Sequence, residues 1–136
     1  MAKLTEKQKK GNFGEDKACL YLANKGYNIT ARNFHNYKAR TGEIDIIAED
    51  TERVAFVEVK ARVLFGMGRP CDSVDSKKKA KIIKTAEYYL LQNPTEKLIG
   101  FDIIEVVLTD SINPDVVEIN HFQDAFDATG GRFLFT

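Results

Sequence analysis

The stretch from Gly42 to Lys60 constrains the fold of this chain more than any other. Two runs rich in β-branched and apolar residues, Gly42-Glu43-Ile44-Asp45-Ile46-Ile47-Ala48 and Val54-Ala55-Phe56-Val57-Glu58-Val59-Lys60, flank the polar segment Glu49-Asp50-Thr51-Glu52-Arg53. This pattern predicts a β-hairpin. With the turn centred between Thr51 and Glu52, Asp45 stands opposite Glu58, Glu43 opposite Lys60, Ile46 opposite Val57 and Ile44 opposite Val59. Alternation with period two then puts Glu43, Asp45, Ile47, Phe56, Glu58 and Lys60 on one face, and Ile44, Ile46, Ala48, Ala55, Val57 and Val59 on the other. The second face is apolar throughout and predicts core. The first is apolar near the turn and charged at the open end, as in a sheet that widens into a cleft.

Directly opposed Cβ atoms in a hairpin lie roughly 4.5 to 5.5 Å apart, and like charges at that separation destabilise the pair. A cation between Asp45 and Glu58 is therefore expected. Lys60, two residues from Glu58 on the same face, supplies some of that charge. Two carboxylates with a backbone carbonyl also make a hard oxygen site suited to Mg²⁺ or Mn²⁺. A partly exposed structural charge network beside Glu43 satisfies the same pattern and stays open as an alternative. A register slip of one residue would carry Asp45 to the other face and remove the site.

The remaining elements follow from periodicity and punctuation. A first helix is expected from about Thr5 to Asn24, with Gly26 in the left-handed position beyond its end. Within it Glu15 shares a stripe with Ala18, Cys19 and Leu22. An acid on an apolar stripe either lies at its edge with its tip in water or points toward the hairpin site. Tyr27 to Arg32 reads as a strand, Asn33 to Thr41 as a polar connection, and Val63 to Pro70 as a basic, glycine-containing loop. A second helix is expected from an N-cap at Asp75 to about Gln92, with Ile82, Ile83, Ala86, Tyr89 and Leu90 as its apolar stripe. Lys77, Lys78 and Lys81 at its start oppose the helix dipole, an arrangement that an anion such as phosphate would offset. Strands over Leu98 to Leu108 and Val116 to Phe122 complete the pattern. The first has both faces largely covered, as in a central strand. This order predicts a two- or three-layer α/β sheet with mixed pairing.

Length and charge narrow the class. A chain of 136 residues has room for one domain with a proper core, here expected over about residues 5–122 with 123–136 as a tail. No apolar run approaches the ~20 residues that span a bilayer, and no signal-peptide core follows Met1 to Lys7, so a cytoplasmic location without a membrane partner is expected. Cys19 and Cys71 support neither a disulfide framework nor a zinc site. Net charge is zero, yet the stretch from Lys60 to Lys84 carries eight basic and two acidic residues, while Gly100 to Thr136 carries seven acidic residues and one basic. Such asymmetry can place a basic face on a neutral protein.

An acidic helix residue, then Asp45, then Glu58-Val59-Lys60 resembles the PD-(D/E)XK nuclease signature, with Gly42-Glu43-Ile44-Asp45 standing for the Pro-Asp half. The chain is similar more specifically to the bacterial YraN-like family of predicted endonuclease-related proteins, relatives of Holliday-junction resolvases. The matching pieces include Gly14-Glu15, Gly26-Tyr27, Arg32-Asn33, Gly42 to Ala48, Phe56 to Lys60 with Arg62, and Phe101-Asp102. The resemblance implies a restriction-endonuclease-like core, a mixed sheet of about five strands flanked by helices. It implies a Mg²⁺- or Mn²⁺-dependent DNA endonuclease, favouring branched DNA, and is compatible with a homodimer. The metal would be held by Asp45, Glu58 and the Val59 carbonyl, with Glu15 and Lys60 as further catalytic residues. Arg62, Arg69, Lys77, Lys78 and Lys81 would contact nucleic acid. A non-catalytic DNA- or partner-binding module on the same fold is the competing reading. One position departs from the pattern: Gly100 stands where a basic residue is expected before Phe101-Asp102.

Overall fold

The computed structural model describes residues 3–38, 42–64, 74–110 and 112–128. Its elements are α1 (Glu6–Asn24), β1 (Asn28–His35), β2 (Glu43–Glu49), β3 (Arg53–Val63), α2 (Ser76–Gln92), β4 (Leu98–Leu108) and β5 (Val116–Phe126). The strands form one five-stranded sheet in the order β1-β2-β3-β4-β5. All neighbours are antiparallel except β3 and β4, which run parallel and are joined through α2. A parallel pair needs a crossover connection, usually a helix, and α2 is that element.

Both helices begin where their capping chemistry dictates. Thr5 caps α1, accepting from the Gln8 amide, while the Gln8 side chain accepts from the Thr5 amide; together these form a capping box. Asp75 caps α2 by accepting from the Lys78 amide at 2.9 Å. Beyond α1 the chain reverses at Gly26, whose φ of 95° lies where side chains are strained.

The helices lie on opposite faces of the sheet. Ile82, Ile83, Ala86 and Tyr89 of α2 pack on Ile47, Val54, Phe56, Phe101, Ile103 and Phe126. Ala18 and Leu22 of α1 pack on Ile46, Ala48, Ala55, Val57 and Ile104. Successive residues such as Ile46 and Ile47, or Ile103 and Ile104, thus enter different cores, as period-two alternation requires. Of the two expected layer counts the structure has three. α1 approaches β3 closely at Gly14, where a Cβ would stand 2.9 Å from that of Ala61. No described helix is long and apolar enough to cross a membrane.

The expected register holds from Glu49–Val54 to Ile46–Val57. Beyond that point the expected pairs Ile44–Val59 and Glu43–Lys60 do not form, and β2 stays with β1 while β3 stays with β4. Ile44 also departs from the expected face, packing with Ile47 and Phe56 rather than with Ile46. This coincides with Asn33 of the neighbouring strand, whose φ of 51° breaks the alternation of β1, so that Phe34 and its partner Ile44 both join the α2 side. β1 runs three residues beyond the expected end at Arg32. β5 passes the expected end of the core at Phe122 and delivers Phe126, 1% exposed, to the α2 core. The tail boundary at residue 123 is therefore corrected to lie beyond Phe126. Asp124, at φ 51°, interrupts the β4–β5 register and keeps that last segment from reading as a strand.

Candidate active site

β2 and β3 diverge just before Asp45 and Glu58 would meet, and the gap belongs to Asp45. Its Oδ2 accepts from the Val59 amide at 2.8 Å, where continued pairing would have given that amide the Ile44 carbonyl. In a strand the N–H and C=O of one residue point to the same side. The Val59 carbonyl therefore opens toward the same gap.

Four charged side chains converge there. Glu58 is 5% exposed and lies 2.7 Å from Lys78 Nζ and 3.6 Å from Lys60 Nζ. Burial and the nearby Glu58 charge push the Asp45 carboxyl up to about 8, despite the Val59 amide that favours its ionised form. Burial and the neighbouring Lys78 push Lys60 down, against the pull of the two carboxylates. Burial works against the Lys78 ammonium, but the Glu58 and Asp45 carboxylates outweigh it and push Lys78 up. The site thus gathers two carboxyl groups and two lysines, one lysine from β3 and one from α2.

Glu15 stands at the other side of the gap. Its carboxyl is raised by burial, against the effect of Arg32, whose guanidinium approaches to 3.4 Å, and by the charges of Glu43 and Asp16. The Asn33 amide, with its nitrogen toward the acids, donates to Glu15 Oε1 at 3.3 Å and Glu43 Oε1 at 3.2 Å. The left-handed turn at Asn33 is what brings this amide inward. Glu15 contributes to the raised Asp45 carboxyl, yet among the described residues no three acidic, histidine or cysteine side chains converge as metal ligands.

The expected nucleic-acid contacts divide. Lys77, Lys78 and Lys81 line an open cavity of about 400 Å³ with Gly42, Glu43 and Asp75, directly beside the carboxylates. α2 is held there by Thr85, whose hydroxyl lies 2.9 Å from the Gly42 carbonyl at the start of β2. Arg62 instead pairs through Nε with Glu105, itself 2% exposed and bonded by Asn120 at 2.6 Å. Arg69 and Cys71 lie outside the described residues. Cys19 is a free, half-buried thiol.

A second polar cluster, on the α1 face, goes beyond the expectations from sequence. Asp102 is fully buried and accepts from Arg53 Nη1 and Nη2 at 2.8 Å, pairs with His121 Nε2 at 2.8 Å and accepts from the Asp124 amide at 3.0 Å. Arg53 also donates to the Tyr27 hydroxyl at 2.9 Å, and the Tyr21 hydroxyl faces His121 Nδ1 at 3.3 Å. Arg53 and His121 hold the Asp102 carboxyl below its usual value against the effect of burial. Here Gly100 acquires its reason: a Cβ at that position would fall 1.8 Å from Arg53 Nη2. An Asp inside the apolar run of β4 was the one sequence signal for this network.

Fold and site together describe an α/β protein with a mixed sheet, consistent with a restriction-endonuclease-like core, that opens onto a carboxylate–lysine cluster. Residues 14–106 match the model of the Uncharacterised protein family UPF0102. The chain is 47% identical over 119 residues to a UPF0102 protein of Persephonella marina, covering 87% of this chain and 93% of that one. It is 43% identical over 120 residues to a UPF0102 protein of Clostridioides difficile, covering 88% and 97%. The protein belongs to the UPF0102 family.

Proposed function

We propose that this protein is a divalent-metal-dependent DNA endonuclease, on the strength of Asp45 and Glu58 standing close enough across the diverging strands for the Glu58 charge to raise the Asp45 carboxyl, with Lys60 beside Glu58. The donor set suits the ion: two carboxylates and the Val59 carbonyl are all hard oxygens. Mg²⁺ is commonly held by one or two carboxylates, with water and substrate phosphate completing its shell. Asp45, Glu58 and Val59 would hold it, and when bound it would polarise the scissile phosphate and lower the pKa of a coordinated water. Lys60 would orient that water or meet the charge that builds on the phosphate. Glu15 adds negative potential from the far side of the gap, and Lys77 and Lys81 offer charge to the neighbouring backbone phosphates. Branched DNA is the preferred substrate through the resemblance.

The test is incubation of labelled four-way junction, flap and linear duplex DNA with Mg²⁺, Mn²⁺ or EDTA, comparing wild type with Lys60→Ala. Cleavage that needs metal and is lost in Lys60→Ala supports the proposal, whereas cleavage that persists in the variant assigns it to a contaminant. One observation favours a second reading: Lys78 already neutralises Glu58 without a metal. A non-catalytic DNA-binding module would bind in EDTA, weaken steeply with salt, and cleave nothing.

A further inference from the structure

We infer that Lys78 is a resident counter-cation which a divalent ion must displace from Glu58, so that metal loading releases its ammonium into the adjoining cavity. This rests on the metal site proposed above and concerns what controls its occupancy. Glu58 is nearly sealed, and the Lys78 ammonium at 2.7 Å is its closest cation among the described residues, with Lys60 at 3.6 Å. A metal ligated by Glu58 would bring a double positive charge into contact with two ammonium groups, and Coulomb repulsion at such distances in a poorly solvated site is strong. One of the lysines has to yield. Lys60 sits on β3 at the centre of the sheet, with its side chain 22% exposed. Lys78 is anchored at its backbone by the Asp75 cap, and its side chain is 39% exposed at the cavity it shares with Lys77 and Lys81.

The helix itself need not move for this exchange. The Asp75 cap fixes the Lys78 amide and Thr85 ties α2 to the Gly42 carbonyl, so a rotamer change of one long side chain is sufficient. Once released, the ammonium joins Lys77 and Lys81 where a backbone phosphate would lie. Metal binding and phosphate binding then reinforce each other, because the same lysine leaves one partner for the other.

The experiment is Mn²⁺ calorimetry on the full chain as wild type, Lys78→Gln and Lys77→Gln. Direct competition predicts Mn²⁺ affinity about tenfold higher in Lys78→Gln. Lys77→Gln removes the same charge from the cavity without an ion pair to Glu58, and is expected to change affinity by less than about twofold. Equal or weaker affinity in Lys78→Gln, with wild type binding Mn²⁺, overturns the inference and leaves the metal site standing; binding by neither protein overturns both. Should Lys78→Gln not fold, lysine-ammonium NMR of wild type decides the matter. The Lys78 Nζ signal, protected in the ion pair, is expected to vanish into solvent exchange as Mg²⁺ saturates the site, and its persistence at saturation refutes the displacement.

Discussion

Gly100→Ala sets two physical effects against each other. Backbone entropy favours alanine inside a strand by about 0.5 to 1 kcal/mol. Geometry opposes it, since the added Cβ would stand 1.8 Å from Arg53 Nη2 and 2.8 Å from Asp124 Oδ1. The end of an arginine usually moves cheaply, but this guanidinium is bound through Nη1 and Nη2 to a carboxylate with no exposed surface. Displacing Nη2 breaks its bonds to Asp102 Oδ1 and Asp124 Oδ1. Hydrogen bonds to charged groups contribute about 1.5 to 3 kcal/mol each, and breaking a buried ion pair outright costs about 3 to 5 kcal/mol. After the entropic gain, a net loss of about 2 to 4 kcal/mol is expected, lowering the melting temperature by roughly 10 °C. Urea unfolding of Gly100→Ala, alone and combined with Arg53→Met, measures the coupling. With the guanidinium gone, alanine should become neutral or stabilising. A single variant as stable as wild type, or an unchanged penalty in the Arg53→Met background, would refute the reasoning.

Further expectations concern pH, metal and packing. Because Asp102 titrates below its unfolded value, its contribution is full above about pH 4 and lost as pH falls through the depressed folded value. The urea-midpoint gap between wild type and Asp102→Asn should therefore narrow from pH 7 to pH 3, and a constant gap would contradict this. Asp45 has the opposite sign: with its carboxyl raised to about 8, wild type loses stability as pH rises from about 4 to about 8. In EDTA, Asp45→Asn keeps an acceptor for the Val59 amide and should exceed wild type by about 2 to 3 kcal/mol at pH 9 while matching it near pH 4. The same variant should lose Mn²⁺ affinity by calorimetry, and undiminished affinity would remove Asp45 from the ligand set. Gly14→Val should destabilise by about 1 to 3 kcal/mol, read by thermal melting, because its Cβ would press on Ala61.

The register of the hairpin was legible because only one parity buries Ile46, Ala48, Ala55 and Val57 together, and those four do share the α1 core. Asp75 and Asp45 were legible for related reasons: a cap and a charge on an otherwise apolar run are local signals. The point where β2 and β3 diverge was not. There a side chain replaces a backbone carbonyl as acceptor for Val59, and Asn33, in a different strand, takes a left-handed conformation. The same left-handed residue moved Ile44 to the other core. Lys78 read as one of several helix lysines, since its pairing with Glu58 joins positions twenty residues apart across a strand–helix crossover. The Arg53–Asp102–His121 cluster was hidden more completely. Asp102, a charge on an apolar run, was its one local signal; Arg53 and His121 look ordinary locally, and only the pairing of β3, β4 and β5 brings the three together.

The most direct test of the metal-dependent centre is a crystal structure of the protein grown with Mn²⁺ and measured for anomalous scattering. The account predicts a peak in the gap between β2 and β3, with oxygen ligands from Asp45, Glu58 and the Val59 carbonyl at about 2.0 to 2.3 Å, and with Lys78 turned away from Glu58. No peak there at saturating Mn²⁺, with the Lys78–Glu58 pair still closed, would contradict it.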